Sequence, residues 1–102
     1  GHNPLAAKSI VNALKGQKYT LVYNSYADKE YAKILAILEP IIENVEIIQI
    51  EDSRIEKVTE IQKALMSLKL EYSSFCEIID TRKYLVFGSF KVVEEFLKAY
   101  NE

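Results

Sequence analysis

At 102 residues, 49% hydrophobic and 27% charged with only three Gly and two Pro, the chain is long enough for one buried core and lies well away from disordered or low-complexity compositions. Thirteen Lys and Arg against fifteen Asp and Glu give a net charge of −2 with no basic run, which speaks against a nucleic-acid surface. Its apolar stretches fall far short of the roughly 20 residues of a membrane span and no signal peptide opens it, so a cytoplasmic module without membrane contact is expected.

Asn3-Pro4 reads as the start of a helix, because Asn is a good N-cap and Pro is favoured at the first helical position. Ala6, Ala7, Ile10, Ala13 and Leu14 then form a helical stripe that ends at Lys15-Gly16. Tyr19 to Asn24 is a short β-branched and aromatic run without clean alternation, as expected of a strand covered on both faces. Asp28 is the next N-cap candidate, followed by Tyr31, Ile34, Leu35 and Leu38 at helical spacing, with Pro40 closing the region. Val45 to Ile50 reads as a second strand. Capping-box spacing occurs at both Ser53-Arg54-Ile55-Glu56 and Thr59-Glu60-Ile61-Gln62, and the stripe Ile55, Val58, Ile61, Leu65, Leu68 suits either start. Glu71 to Phe75 reads as a strand and Cys76 to Asp80 as a turn of helix, with the lone Cys76 a small core filler. Tyr84 to Phe87 is a buried strand, and Val92, Val93, Phe96, Leu97 and Tyr100 mark a final helix.

Strands alternating with helices imply an α/β, Rossmann-like three-layer domain with a mainly parallel sheet and helices on both faces. In such sheets ligands bind beyond the carboxyl ends of the strands. The segments entering the helices are residues 1–3, 25–29, 52–54 and 88–89. They hold the only His, two of the three Gly and a concentration of Asp, Ser, Lys and Arg, at an edge where helix N-termini favour anions. An anionic ligand there is the reading the residues support. No phosphate-cradling loop, dinucleotide fingerprint, nucleophile elbow or His/Cys metal spacing is present. Gly1 and His2 stand directly before a helix signal with no initiator Met, which reads as a piece of something longer.

Four landmarks, in order, carry a resemblance. Gly1-His2-Asn3-Pro4 before an Ala-rich helix is similar to the G-H-N-P turn that opens the last domain of folylpolyglutamate synthases. Asp28-Lys29-Glu30 resembles the D-K-D turn of that family, with Glu30 in place of the second Asp. Arg54 matches an Arg after the third apolar block, and Leu85-Val86-Phe87-Gly88-Ser89-Phe90 resembles its terminal V-F-G-S-[FL] strand and turn. The chain is thereby identified as similar to the C-terminal, Mur-ligase-type domain of folylpolyglutamate and dihydrofolate synthases.

That resemblance implies the rest of the machine. Residues 1–102 would be the glutamate- and nucleotide-contacting domain of a larger ligase whose N-terminal ATPase domain, with most of the ATP and Mg binding, and first strand lie outside them. The whole enzyme would convert a folate or dihydropteroate carboxylate to an acyl phosphate and join it to L-glutamate, the isolated chain being inactive. His2 would be a catalytic contact beside the nucleotide, with Asn3 and Arg54 also touching it. Lys29, Ser89 and Asp28 would bind glutamate, and no residue would be a metal ligand. A muramyl-peptide ligase C-terminal domain and a non-catalytic α/β binding module are the alternatives. Without the first strand, one open side of the sheet invites self-association.

Overall fold

The computed structural model describes residues 3–101. Four strands form one all-parallel sheet in the order β3-β2-β1-β4: β1 is Tyr19–Tyr23, β2 Ile42–Ile47, β3 Tyr72–Ser74 and β4 Tyr84–Phe87. Helices α1 (Pro4–Leu14), α2 (Tyr31–Leu38), α3 (Val58–Ser67) and α4 (Phe90–Tyr100) fill the connections, and a single 3-10 turn, Glu39–Ile41, carries Pro40 into β2. The expected three-layer α/β architecture is the one found.

Alternation along each strand divides the core in two. On one face Leu21, Tyr23, Val45, Ile47 and Phe87 pack against Ala7 of α1, Ile34, Leu35 and Leu38 of α2, and Ile61 and Leu65 of α3. On the other, Val22 and Ile48 meet Val92 of α4, with Tyr84, Val86 and Phe96 at the margin. Three helices therefore cover one face and one covers the other, as right-handed crossovers require when the chain steps β1 to β2 to β3 and then back across to β4. That return is made without a helix. Its path over the α4 face is marked by Arg82, which pairs with Glu46 of β2, and by the Tyr84 hydroxyl, which accepts a hydrogen bond from the Ile79 amide at 2.9 Å. Burial pushes the Glu46 carboxyl up from its ordinary range, and the Arg82 charge opposes that shift.

Several boundaries differ from the expected ones, each for a local reason. The first helix starts as read: Asn3 has extended backbone and its Oδ1 accepts the Ala6 amide at 2.8 Å. Asp28 does not cap α2, which begins three residues later behind Glu30 with no side-chain cap bond; residues 26–29 are instead drawn into a turn closed by Lys29 N–H to Tyr26 O at 3.2 Å. Neither capping box opens α3, whose N-cap is Lys57, because residues 52–56 are held to the loop after β1. The second strand runs Ile42–Ile47 rather than Val45 to Ile50, since the Pro40 turn delivers the chain into the sheet early. Cys76 to Asp80 is not helical, and Cys76 is exposed rather than core. The end of α3 is a Schellman closure, with Leu70 N–H on Leu65 O at 3.0 Å, Lys69 N–H on Met66 O at 3.0 Å and Lys69 itself at φ 58.

Gly88 links β4 to α4 at φ +147, and a Cβ there would lie 2.9 Å from the Asn24 carbonyl oxygen and 2.9 Å from Val92 Cγ2. Both obstacles are buried, and one is backbone. Gly88→Ala is expected to destabilise the fold by about 1–3 kcal/mol through strain and overpacking, seen as a lower denaturant midpoint; an unchanged midpoint would contradict the close approach of β4 to β1.

Candidate functional site at the carboxyl edge of the sheet

Parallel strands bring all four carboxyl ends to one edge, and the strand order reverses between β1 and β4, the position where open α/β sheets place ligands. Two buried polar residues mark that switch. Asn24, 2% exposed, donates from Nδ2 to the Ile48 carbonyl at 2.7 Å and accepts the Ser25 amide on Oδ1 at 2.8 Å, so it ties the end of β1 to the end of β2. Ser89, 6% exposed, is the N-cap of α4 yet makes no cap bond, and its Oγ is buried with no partner. The Phe90 and Lys91 amides beside it belong to a helix first turn, where backbone donors lack intrahelical acceptors.

The loops after β1 and β2 are zipped to each other. Ala27 N–H donates to Arg54 O at 2.9 Å, Glu56 N–H to Ser25 O at 2.9 Å, and Tyr26 and Ile55 form an isolated antiparallel bridge. This seam carries Arg54 to the residues of the D-K-E turn: Tyr26, Ala27, Asp28, Lys29 and Arg54 line one open depression of about 430 Å³. Ser89 lies in a separate depression of about 340 Å³ with Gly88, Phe90 and Val93. The structure thus brings Asp28, Lys29 and Arg54 together and sets Ser89 apart from them, at the end of the adjacent strand. Asn3 serves as the α1 N-cap. His2 lies outside the described residues.

Charge is distributed unevenly around the larger depression. Arg54 is held from three sides: its Nε and Nη2 donate to the two Asp52 oxygens at 3.2 and 3.1 Å, and its guanidinium lies 4.6 Å from the centre of the Tyr26 ring. Tyr26 closes the triangle by donating from its hydroxyl to Asp52 at 3.3 Å. These contacts fix a side chain that is otherwise 71% exposed. Hydrogen bonds from the Arg54 side chain and backbone bring the Asp52 carboxyl down to about 2. Beneath the seam the Tyr31 hydroxyl donates to Glu56 at 2.7 Å, which pushes the phenol up to about 12 and draws the Glu56 carboxyl below its usual range. Lys29 is exposed and takes part in none of the ion pairs among the described residues.

Tyr26, Asp52 and Asn24 were not among the residues the sequence singled out. Asp52 stands two residues before Arg54 and accepts its amide at 2.9 Å, an Asx turn whose spacing is visible in the sequence. Tyr26 stood within the segment 25–29 with no role of its own. Nothing in the sequence marks Asn24, whose role depends on which strand lies beside it.

No family model and no curated protein matches the chain. Solved structures do. Folylpolyglutamate synthetase from Helicobacter pylori superposes with a TM-score of 0.92 at 36% identity, covering 99% of this chain. Its C-terminal fold is the fold of this chain. The family resemblance carried by the four landmarks therefore stands. Folylpolyglutamate synthase from Thermotoga maritima gives a TM-score of 0.76 at 26% identity over 98% of the chain. The bifunctional folylpolyglutamate synthase/dihydrofolate synthase from Yersinia pestis, complexed with AMPPNP and Mn, gives 0.77 at 24% over 100%, a likeness of fold. This chain spans only 28%, 27% and 27% of those three chains. No helix among the described residues is long and apolar enough to cross a membrane.

The folded-state pKa of Asp52, about 2, lies below its ordinary 3.8, so the unfolded chain takes up a proton first as pH falls. The stabilisation is complete above about pH 5 and is lost as pH falls towards 2. Asp52→Asn is expected to flatten the acid limb of stability against pH between about 5 and 2, followed by thermal melts. An acid limb identical to that of the parent would contradict the clamp on Arg54.

Proposed function

We propose that the chain is the glutamate- and nucleotide-contacting domain of an ATP-dependent folylpolyglutamate or dihydrofolate synthase, acting in the cytoplasm as part of a longer ligase. In the reaction this implies, a folate or pteroate carboxylate is activated as its acyl phosphate, the amine of L-glutamate attacks it, and phosphate leaves as the amide forms. A bifunctional enzyme of this kind has been solved with Mn, AMPPNP and L-glutamate bound, which supports the same ligand set here. That the solved structures named are folate ligases favours this reading over a muramyl-peptide ligase.

The observation that carries the proposal is a pair of unsatisfied groups at the ends of adjacent strands: the unpaired Lys29 ammonium after β1 and the buried, partnerless Ser89 hydroxyl after β4. Glutamate offers two carboxylates, one for the depression at Lys29 and one for that at Ser89. Lys29 supplies a point charge; Ser89 with the first amides of α4 supplies direction. Asp28 lies beside Lys29 to meet the substrate's polar atoms. Arg54, already oriented by Asp52 and Tyr26, contacts the nucleotide, as do Asn3 and His2, the last as a catalytic contact by family resemblance. By family resemblance, Mg and most of the ATP contacts belong to chain outside these 102 residues. What this domain does is bind and orient glutamate and, on closing, keep water from a hydrolysable acyl phosphate.

In the whole ligase, Lys29→Ala and Ser89→Ala should each raise the KM for glutamate roughly 10- to 100-fold, the loss of one charge-assisted hydrogen bond, while the KM for ATP stays unchanged. A folded variant with normal glutamate dependence, or one that loses ATP binding instead, would defeat the assignment.

A further inference from the structure

Glu56 holds the loop between β1 and α2 at both of its ends. Its backbone N–H donates to the Ser25 carbonyl at 2.9 Å, where that loop leaves the strand. Its side chain takes the other end, accepting the Tyr31 hydroxyl on Oε2 at 2.7 Å, and Tyr31 is the first residue of α2. The second carboxylate oxygen, Oε1, accepts the amide of Lys57, the N-cap of α3, at 2.9 Å. One residue thus ties together the exit of β1, the start of α2 and the start of α3.

The loop depends on that anchor, because α2 begins without a side-chain cap. Among the described residues, the Tyr31–Glu56 bond is the only hydrogen bond that joins residues 28–31 to the loop after β2, and the Lys29 amide bonds back only to Tyr26 within its own turn. The Tyr31 ring packs on the main core, so its hydroxyl is presented from a fixed base. Acceptance by a carboxylate makes the bond a charge-assisted one, stronger than a neutral pair. Tyr31 stands two residues after Lys29 and Glu56 two after Arg54. The bond therefore joins the two chain segments that bring these cations to one depression, while neither of its partners lines that depression.

We propose that Glu56 is a positioning residue for the glutamate site. Through the Tyr31 hydroxyl it fixes the D-K-E turn against the Arg54 loop and so sets where the Lys29 ammonium meets a substrate carboxylate. This rests on the reading of Lys29 as a glutamate contact given above. Glu56 and Tyr31 do not themselves touch glutamate. On its near side the turn is held by the Ala27 amide on the Arg54 carbonyl; the Tyr31–Glu56 bond holds the far side. A displacement of about 1 Å is enough to weaken a group that must meet its substrate in one geometry.

Glutamate dependence in the whole ligase tests this, with the two partners removed singly, together, and in combination with Lys29. Tyr31→Phe deletes only the hydroxyl. It should raise the KM for glutamate roughly three- to tenfold, the size of a coupling within one hydrogen-bond network, at an unchanged KM for ATP. Glu56→Ala should raise it at least as much, and adding Tyr31→Phe to Glu56→Ala should change nothing further. In a Lys29→Ala background Tyr31→Phe should alter the KM for glutamate by less than about twofold, because the group it positions is gone. A bond with a purely structural role would lower the melting temperature without that dependence on Lys29. A normal KM in Tyr31→Phe beside an impaired Lys29→Ala would overturn the proposal and leave the glutamate reading standing, as would an effect of Tyr31→Phe that persists at full size in Lys29→Ala. A normal KM in Lys29→Ala would overturn that reading and the proposal with it.

Discussion

Three strands meet at Asn24, and the edge that carries the candidate site depends on that meeting. Its side chain bonds the end of β2 through Ile48 and its own following amide, while its carbonyl faces Gly88 so closely that no Cβ fits between. A buried amide with both ends satisfied is stable; leaving either end unpaired costs about 1–3 kcal/mol. The arrangement therefore sets the relative height of the β1, β2 and β4 termini. From those termini leave the D-K-E turn, the Arg54 loop and the Gly88-Ser89 turn.

Two kinds of polar group result, and they behave differently. Arg54 is clamped by Asp52 and Tyr26, with its charge matched inside the protein before any ligand arrives. Among the described residues Lys29 and Ser89 are left unmatched, one exposed in the depression after β1 and the other buried at a separate depression after β4. A buried hydroxyl without a partner is uncommon in a folded protein, and an unpaired ammonium just ahead of a helix N-terminus stands where positive charge is disfavoured. The two carboxylates of the proposed glutamate ligand would relieve one each. The contacts to Asp52 and Tyr26 hold Arg54 in one orientation, which would lower the entropy lost in the nucleotide contact proposed for it.

The fold was readable because its periodicities are local. Residues 84–87 as strand, Asn3-Pro4 as helix start and the α4 stripe all follow from neighbours in sequence. Places where the reading failed are those where tertiary bonds outweigh local preference. Asp28 lost its capping role because the turn around it is held by the loop from β2, the Ser53 box failed because its own loop is held in the same seam, and the Thr59 box lies inside a helix that already starts at Val58. Cys76 to Asp80 takes its path from Arg82 and Tyr84, which anchor the return crossover to the sheet. Of the candidate site, Asp28, Lys29 and Arg54 were found by position at strand ends, and the structure gathers them. Asn24, Tyr26 and Asp52 were not, because their roles exist only once β1 and β2 lie side by side.

A direct measurement of whether this edge holds a dicarboxylate is backbone amide chemical-shift mapping of the 102-residue chain during titration with L-glutamate. The expected result is a saturable shift confined to the turn around Asp28 and Lys29 and to the first turn of α4 at Ser89, Phe90 and Lys91, and abolished in Lys29→Ala. Shifts centred instead on the depression between the ends of β2 and β3, around Gln49, Gln62 and Tyr72, or shifts that persist unchanged in Lys29→Ala, would contradict it.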